Sequence, residues 1–355
     1  MIFSRWHWTK IMAAAYQTGS SSSPTNLLQT LVTWLGVQGW TLDLSGADGT
    51  GWRAHLHKGG VYVNLRAAMN ENIWPRDATY YHDYGAGGYG IGVYLGTGYT
   101  GGLDWHEQPG APIRIDDSTT IGGGMNLPAS GGDYHLFDDG NDNITVVVER
   151  SPGIFCHMGW GPAMGAAGQP EDFWYFFASS SQYMNTVISY PADRYGLNLS
   201  ALPPASHGDK DYGSYGTGSQ YVHTNGMVRV DTATFSGRWV GNGNYANKGY
   251  GYSGRFMRCS LNLHPNTQGT CDEDQFPGYQ YILDRNHQTA FAGALLLPLH
   301  CYVKTDPDAR WAPIGYLPTV FWCEAVGHGY SANEVYQVGG QDYMLFPHFA
   351  VLKGA

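Results

Sequence analysis

The sequence predicts a mainly β fold: an antiparallel β-sandwich or related sheets, one N-terminal covering helix, and long Gly/Tyr-rich loops. Short β-branched and aromatic runs recur between clusters of Gly, Asn, Asp and Ser, the pattern of strands joined by tight turns. Gly (50 residues) is abundant together with Tyr (26) and Trp (12), so a charged fraction of only 14% does not signal disorder here. One stretch stands out by helical periodicity. With 355 residues the chain can bury one large β core or two medium ones. Composition divides it into 1–200, a helix plus antiparallel β domain, and 201–355, a loop-rich β region that completes the core.

The helix is predicted in "SSPTNLLQTLVTWLGVQGW". Ser23 is placed to cap it and Pro24 to open it. Leu27, Leu28, Leu31, Val32 and Leu35 form one apolar stripe that should cover a sheet. Gly39 can end the helix in a left-handed conformation.

Strands follow. "WTLDL" leads into the turn "SGADGTG". "WRAHLH" then alternates Trp52, Ala54 and Leu56 against Arg53, His55 and His57. "KGG" turns the chain into "VYVNLRA", with Val61, Val63 and Leu65 on one face, so the pair reads as a hairpin. His55 and His57 share a face, as metal ligands on a strand must. They oppose the apolar face, however, which predicts that they point to solvent or a partner. His82 and Asp83 are the nearest further donors, and spacing fixes neither as a third ligand. "GAGGYG" at 85–90 matches a dinucleotide-binding pattern, but the strand-like "IGVYLG" follows it where a helix is required.

Residues 131–161, "GGDYHLFDDGNDNITVVVERSPGIFCHMGWG", look chemically active. Asp138, Asp139, Asp142, His135 and His157 could gather a metal or share a proton, and Cys156 adjoins His157. The spacing disagrees. A helix-loop-helix calcium loop needs alternating ligands, a Gly at its sixth position and a Glu at its twelfth. Here Gly140 comes two residues after Asp138, and neighbours such as Cys156 and His157 point to opposite faces of a strand. The stretch reads better as a three-strand antiparallel meander: 134–137, the turn "DDGNDN", "ITVVVE", the turn "SPG", then "IFCHMGWG". Val146 and Val148 then share one face and Val147 takes the other, which predicts burial on both sides. The acidic turn is expected to face solvent, with Asp139 and Asp142 replaceable by Asn.

Further on, 200–275 is rich in Gly, Asn, Ser and Tyr. The loops at 205–255 are expected to make subunit or partner contacts. "FAGALLLPLHCYV" (291–303) reads as a buried strand or short helix, and "YMLFPHFAVLK" as one last strand. The five cysteines (156, 259, 271, 301, 323) form no CxxC pair and are expected to be free thiols. A net charge of −10 disfavours nucleic acid as a partner. No apolar run reaches the roughly 20 residues of a membrane span, and "MIFSRWHWTKIMAAAYQTG" lacks the apolar core of a signal peptide, so membrane insertion is not expected.

A resemblance runs through these segments in order: "LLQTLVTWLGVQGWTL", "IGVYLGTGY", "QPGAP" (108–112), "YHLFDDGNDNITVVVERSPGIFCHMGWG", "WAPIGYLP" (311–318) and "VGGQDYMLFPHF" (338–349). Their succession resembles tailed-bacteriophage virion structural proteins of the tail, baseplate and fibre region, over most of the chain except 205–275. The resemblance implies a β-rich structural subunit of the virion, made in the host cytoplasm. It would assemble with other virion proteins, as a homo-oligomer in a symmetric ring, and it carries over no catalytic residues. No catalytic, cofactor-binding or metal-binding residue is assigned, and neither a cofactor nor an enzymatic activity is expected. The alternative is a receptor- or carbohydrate-binding tail module that contacts a host-surface glycan through exposed Tyr and Trp. The less favoured third reading, a glycan-cleaving enzyme, needs two carboxylates roughly 5 to 10 Å apart. Its aromatic-flanked candidates are Asp104 with Glu107 and Glu171 with Asp172.

Overall fold

The computed structural model describes residues 14–71, 88–111, 123–162, 164–165, 173–178, 180–181, 227–230, 238–241, 258–261, 296–304, 312–323, 325–326, 329–347 and 349–354. In chain order the elements are β1 (Ala15–Ser20), α1 (Pro24–Val37), β2 (Thr41–Asp48), β3 (Gly51–Lys58), β4 (Val61–Glu71), β5 (Gly88–Gly96), β6 (Gly123–Asn126), β7 (Asp133–Asp138), β8 (Ile144–Ser151), β9 (Ile154–Pro162), β10 (Met164–Gly165), β11 (Phe173–Ala178), β12 (Ser180–Ser181), β13 (Met227–Val230), β14 (Arg238–Gly241), β15 (Arg258–Leu261), β16 (Leu297–Lys304), β17 (Ala312–Trp322), β18 (Val335–Val338), β19 (Gln341–Phe346) and β20 (Phe349–Gly354). The fold is mainly β with one helix among the described residues, as the sequence predicts. That helix is not long and apolar enough to cross a membrane.

Three antiparallel sheets form layers. The helix-bearing sheet runs β12-β6-β5-β4-β3-β2, the central sheet β1-β7-β8-β9-β11-β13-β14, and the outer sheet β15-β16-β17-β20-β19-β18, with β10 beside β17. The central sheet takes strands from both sides of residue 200, since Phe173 of β11 pairs with Val230 of β13.

The helix forms as its sequence dictates. The Ser23 hydroxyl accepts from the Asn26 N–H at 3.1 Å, and Pro24 occupies the first turn, where its missing donor costs nothing. Gly39 adopts φ 85° just past the helix end, a conformation that side-chain-bearing residues avoid. Leu27, Leu28, Leu31 and Leu35 are fully buried against the helix-bearing sheet and the central sheet. Fully burying each such side chain contributes about 1.5–3 kcal/mol.

The central sheet is apolar on both faces. Leu136, Ile144, Val146, Val148, Cys156, Met158, Trp160 and Phe176 join the core shared with α1 and the helix-bearing sheet. The intervening residues face the outer sheet: Phe137 and Phe155 lie 6.2 and 5.3 Å from the Phe346 ring, and His157 lies 5.2 Å from Phe349. Val146, Val147 and Val148 have no exposed surface, which bears out the two-faced burial expected of this strand.

Three expectations change in detail. β2 continues through "SGAD", so its turn shrinks to residues 49–50. Of the strand or short helix expected at 291–303, the strand alternative is found, as β16 from Leu297 on. The tail is a hairpin rather than one strand: Pro347 cannot donate to a ladder, and the chain reverses there so that Phe346 pairs with Phe349. Their rings stack at 4.9 Å. His82, Asp83, Glu171, Asp172 and most of 205–255 lie outside the described residues. Of 85–90, Gly88, Tyr89 and Gly90 begin β5, a strand where a dinucleotide fingerprint needs a helix.

Replacing Val147 with Asp is expected to cost at least about 3 kcal/mol, because the carboxylate would lie unpaired between two layers. Val335→Asp, at an exposed position of β18, should change stability by less than about 0.5 kcal/mol. Thermal unfolding followed by circular dichroism checks both.

Candidate functional site

Three groups of polar residues repay chemical scrutiny. The first is the β7–β8 turn. Asp138, Asp139 and Asn143 are only 3–5% exposed, so the turn faces solvent at its tip, where Asn141 is exposed and Gly140 and Asp142 are half-buried, and is closed at its base, contrary to the fully solvent-facing loop that its composition suggests. Its polar groups satisfy one another. Asp138 Oδ1 accepts from the Gly140 N–H at 2.7 Å. Asp139 Oδ1 accepts from the N–H groups of Asn141 (2.7 Å) and Asn143 (3.1 Å), and its Oδ2 accepts from Asn143 Nδ2 (2.9 Å). Asn143 Oδ1 in turn accepts from the Tyr175 hydroxyl at 2.9 Å. The Lys58 ammonium reaches across from β3, pairs with Asp142 and donates to the Gln38 carbonyl oxygen at 2.9 Å. Burial pushes the Asp138 carboxyl up to about 6 and raises Asp139 as well.

The second group lies on the non-core face of the helix-bearing sheet. Hairpin register places His55 opposite Asn64, and Asn64 opposite Tyr94. His55 is 1% exposed, contrary to the expectation that it faces solvent or a partner. Its Nδ1 donates to Asn64 Oδ1 at 2.6 Å, its ring lies 5.1 Å from Tyr99, and burial lowers its pKa. His57 is half-buried, donates from Nδ1 to the Asp43 carboxylate at 2.9 Å and stacks on Tyr62 at 5.0 Å. Arg66 is held between Asp48 (3.3 Å) and Glu71 (2.7 Å).

The compact loop 97–111 covers part of this face. The Thr97 N–H donates to the Pro109 carbonyl at 2.7 Å and closes the loop's neck. Gly96 lies beneath that neck, where a Cβ would stand 2.7 Å from Pro109 O. Buried Gln108 accepts from the Thr100 N–H (2.8 Å) and donates to the carbonyls of Leu103 and Asp104, while the Tyr94 hydroxyl donates to Trp105 O. A turn at the tip, closed by Glu107 N–H to Asp104 O at 3.0 Å, gathers Asp104, His106 and Glu107. Their ligand atoms lie within 4.8 Å of one another, so these three are the residues of the described chain arranged to offer a metal ion several ligands.

The third group sits between the central and outer sheets. His135 is bonded to the Tyr16 hydroxyl at 2.8 Å through Nδ1, and burial lowers its pKa. His157 is fully buried, and burial alone lowers its pKa to about 3. Cys156 belongs to the opposite, inner face, as the alternation of the strand requires, and is buried, as is Cys323.

The reactive-looking residues of 131–161 are therefore divided among two faces and a turn instead of meeting at one site. Lys58, Asn64, Gln108 and Tyr175 carry the polar networks and were not singled out from sequence. Asn64 alone had a local signal, the register of the "KGG" hairpin. No family model matches this chain, and no curated protein is significantly similar to it.

Asp139→Ala should destabilise the protein by about 2–3 kcal/mol, since two buried N–H groups lose their acceptor. Asp139→Asn should cost less than about 1 kcal/mol, because the amide oxygen keeps those bonds and Asn143 can turn its amide to match. Denaturant unfolding of both variants measures the difference.

Proposed function

We propose that the chain is a structural subunit of a tailed-bacteriophage virion, in the tail or baseplate, and that it mediates assembly with other virion proteins. The reading rests on the ordered resemblance of its segments to that family. One structural observation supports it above the others: the chemically suggestive residues of 131–161 and of β3 are held within the framework and are not gathered at one site. Asp139 organises a turn, His55 Nδ1 is bonded to Asn64 Oδ1, and His157 packs against Phe349. An assembly subunit needs such a rigid core and presents its contacts on loops and edges. In the proposed role, copies of the chain would form a symmetric ring, which requires heterologous contacts that close.

A second reading, a carbohydrate-binding tail module, is favoured by the half-buried Tyr62–His57 stack beside Asp43. Aromatic rings next to a carboxylate suit the apolar face and hydroxyl rim of a sugar ring. The enzymatic reading gains little: Asp104 and Glu107 are exposed side chains of a single turn at the loop tip.

Mass spectrometry of purified virions with cross-linking should find the chain at fixed stoichiometry and joined to other particle proteins. Its presence in infected lysate but absence from purified particles would overturn the proposal. Glycan-array binding by the wild-type chain that is lost in Tyr62→Ala would favour the second reading.

A further inference from the structure

We propose that Lys58 and the β7–β8 turn form a pH-sensitive latch between the helix-bearing and central sheets, tight in acid and looser near neutrality. The inference is independent of the virion reading. Lys58 is the last residue of β3, and its ammonium ties three elements together. It donates to the Gln38 carbonyl at the C-terminus of α1 and pairs with Asp142 in the β7–β8 turn. The side chains of Lys58 and Asp142 are 25% and 31% exposed, so the ion pair seals the rim of the junction. Asp138 and Asp139 lie behind it, 4% and 5% exposed.

The charge balance at this junction is uneven. Asp138 is faced by the Asp139 and Asp142 carboxylates of its own turn and by the Lys58 ammonium from β3. Among the described residues, the strands beside it add no charge at its register positions: its partners are Ala15 on β1 and Ile144 on β8. From α1, the Gln38 carbonyl already takes a hydrogen bond from the one ammonium. Among the described residues, one cation therefore serves three carboxylates when Asp138 is ionised, and two when it is protonated. Burial is the largest influence on Asp138 and holds its carboxyl at about 6, against an ordinary value of 3.8; the Gly140 N–H and Lys58 oppose the shift without cancelling it.

The sign follows from linkage. Opening the turn hydrates Asp138 and returns its pKa toward 3.8, so the closed latch binds the proton more tightly than the open one. The closed form's advantage is complete below about pH 4, is lost as pH rises to about 6, and is constant above that. Between pH 5 and 7.5 the opening equilibrium should rise about tenfold.

Hydrogen exchange of the full chain, corrected for the intrinsic pH dependence of exchange, tests this. Peptides covering 138–143 and 56–60 should lose about tenfold in protection between pH 5 and 7.5. The exposed β18–β19 turn at Gly339 and Gly340 should show no such step. Asp138→Asn keeps an oxygen to accept from the Gly140 N–H and should shrink the step, leaving only the lesser contribution of Asp139, whose carboxyl burial also raises. Equal protection of 138–143 at both pH values would overturn the proposal. So would an unchanged step in Asp138→Asn, or a matching step at the β18–β19 turn. If Asp138→Asn fails to fold, the comparison of the two turns within the wild-type chain decides the question.

Discussion

Double burial of the central sheet is the constraint on which the rest of the molecule depends. A sheet covered on one face can turn polar side chains to water from the other. A sheet covered on both faces has no such outlet, so its strands must be apolar at consecutive positions, as at Val146, Val147 and Val148. Polar residues that enter it must be neutral or bonded within the layers. His135 takes the Tyr16 hydroxyl, and His157 lies against Phe349 with burial holding the ring in its neutral form. The same constraint reaches the ends of the strands. Where neighbouring layers close over a hairpin turn, water cannot satisfy the backbone, and side chains of the turn must do so. The three backbone N–H bonds accepted by Asp138 and Asp139 are the consequence, and Asn143 Nδ2 adds a side-chain bond to Asp139.

The helix-bearing sheet meets a milder form of this problem. Its core face packs with α1, and its other face is polar. Register aligns His55 with Asn64 and Asn64 with Tyr94, so the row satisfies itself in part without help from distant elements. The loop 97–111 then covers the row with a unit built around one buried amide, Gln108. Its tip carries Asp104 and Glu107 outward because a turn can satisfy its own backbone and leave its side chains to solvent.

What was legible in the sequence was what depends on near neighbours. Ser23, Pro24 and the leucine stripe specify α1 within one stretch of chain, and alternation in "ITVVVE" specifies β8 and its two buried faces. Composition identified the Asp, Asn and Gly residues of 138–143 as a turn, since that depends on local backbone geometry. Whether the turn met water depended on Lys58, about eighty residues earlier, and on Tyr175, about thirty later. Nothing in the local pattern encodes those encounters. His55 illustrates the same limit. Periodicity placed it correctly opposite the apolar face, but the conclusion that this face was wet failed because a loop more than forty residues downstream covers it. The single tail strand failed for a local reason that was available: Pro347 interrupts the ladder.

Perturbed acidity is ambiguous between catalysis and architecture, because burial produces it in both. Asp138, raised to about 6, has the acidity expected of a general acid, and His157, lowered to about 3, is a neutral imidazole beside a thiol in sequence. Access and hydrogen-bond accounting separate the two cases. A general acid must reach a reacting atom, whereas the Asp138 carboxyl is directed at the Gly140 N–H of its own turn. A thiol and its base must share a face, whereas Cys156 and His157 look into different layers. Acidity here is the by-product of sealing a β-stack around its turns. That by-product can still matter, since a carboxyl that titrates near pH 6 at the junction of α1, β3 and the β7–β8 turn couples proton binding to the closure of two sheets.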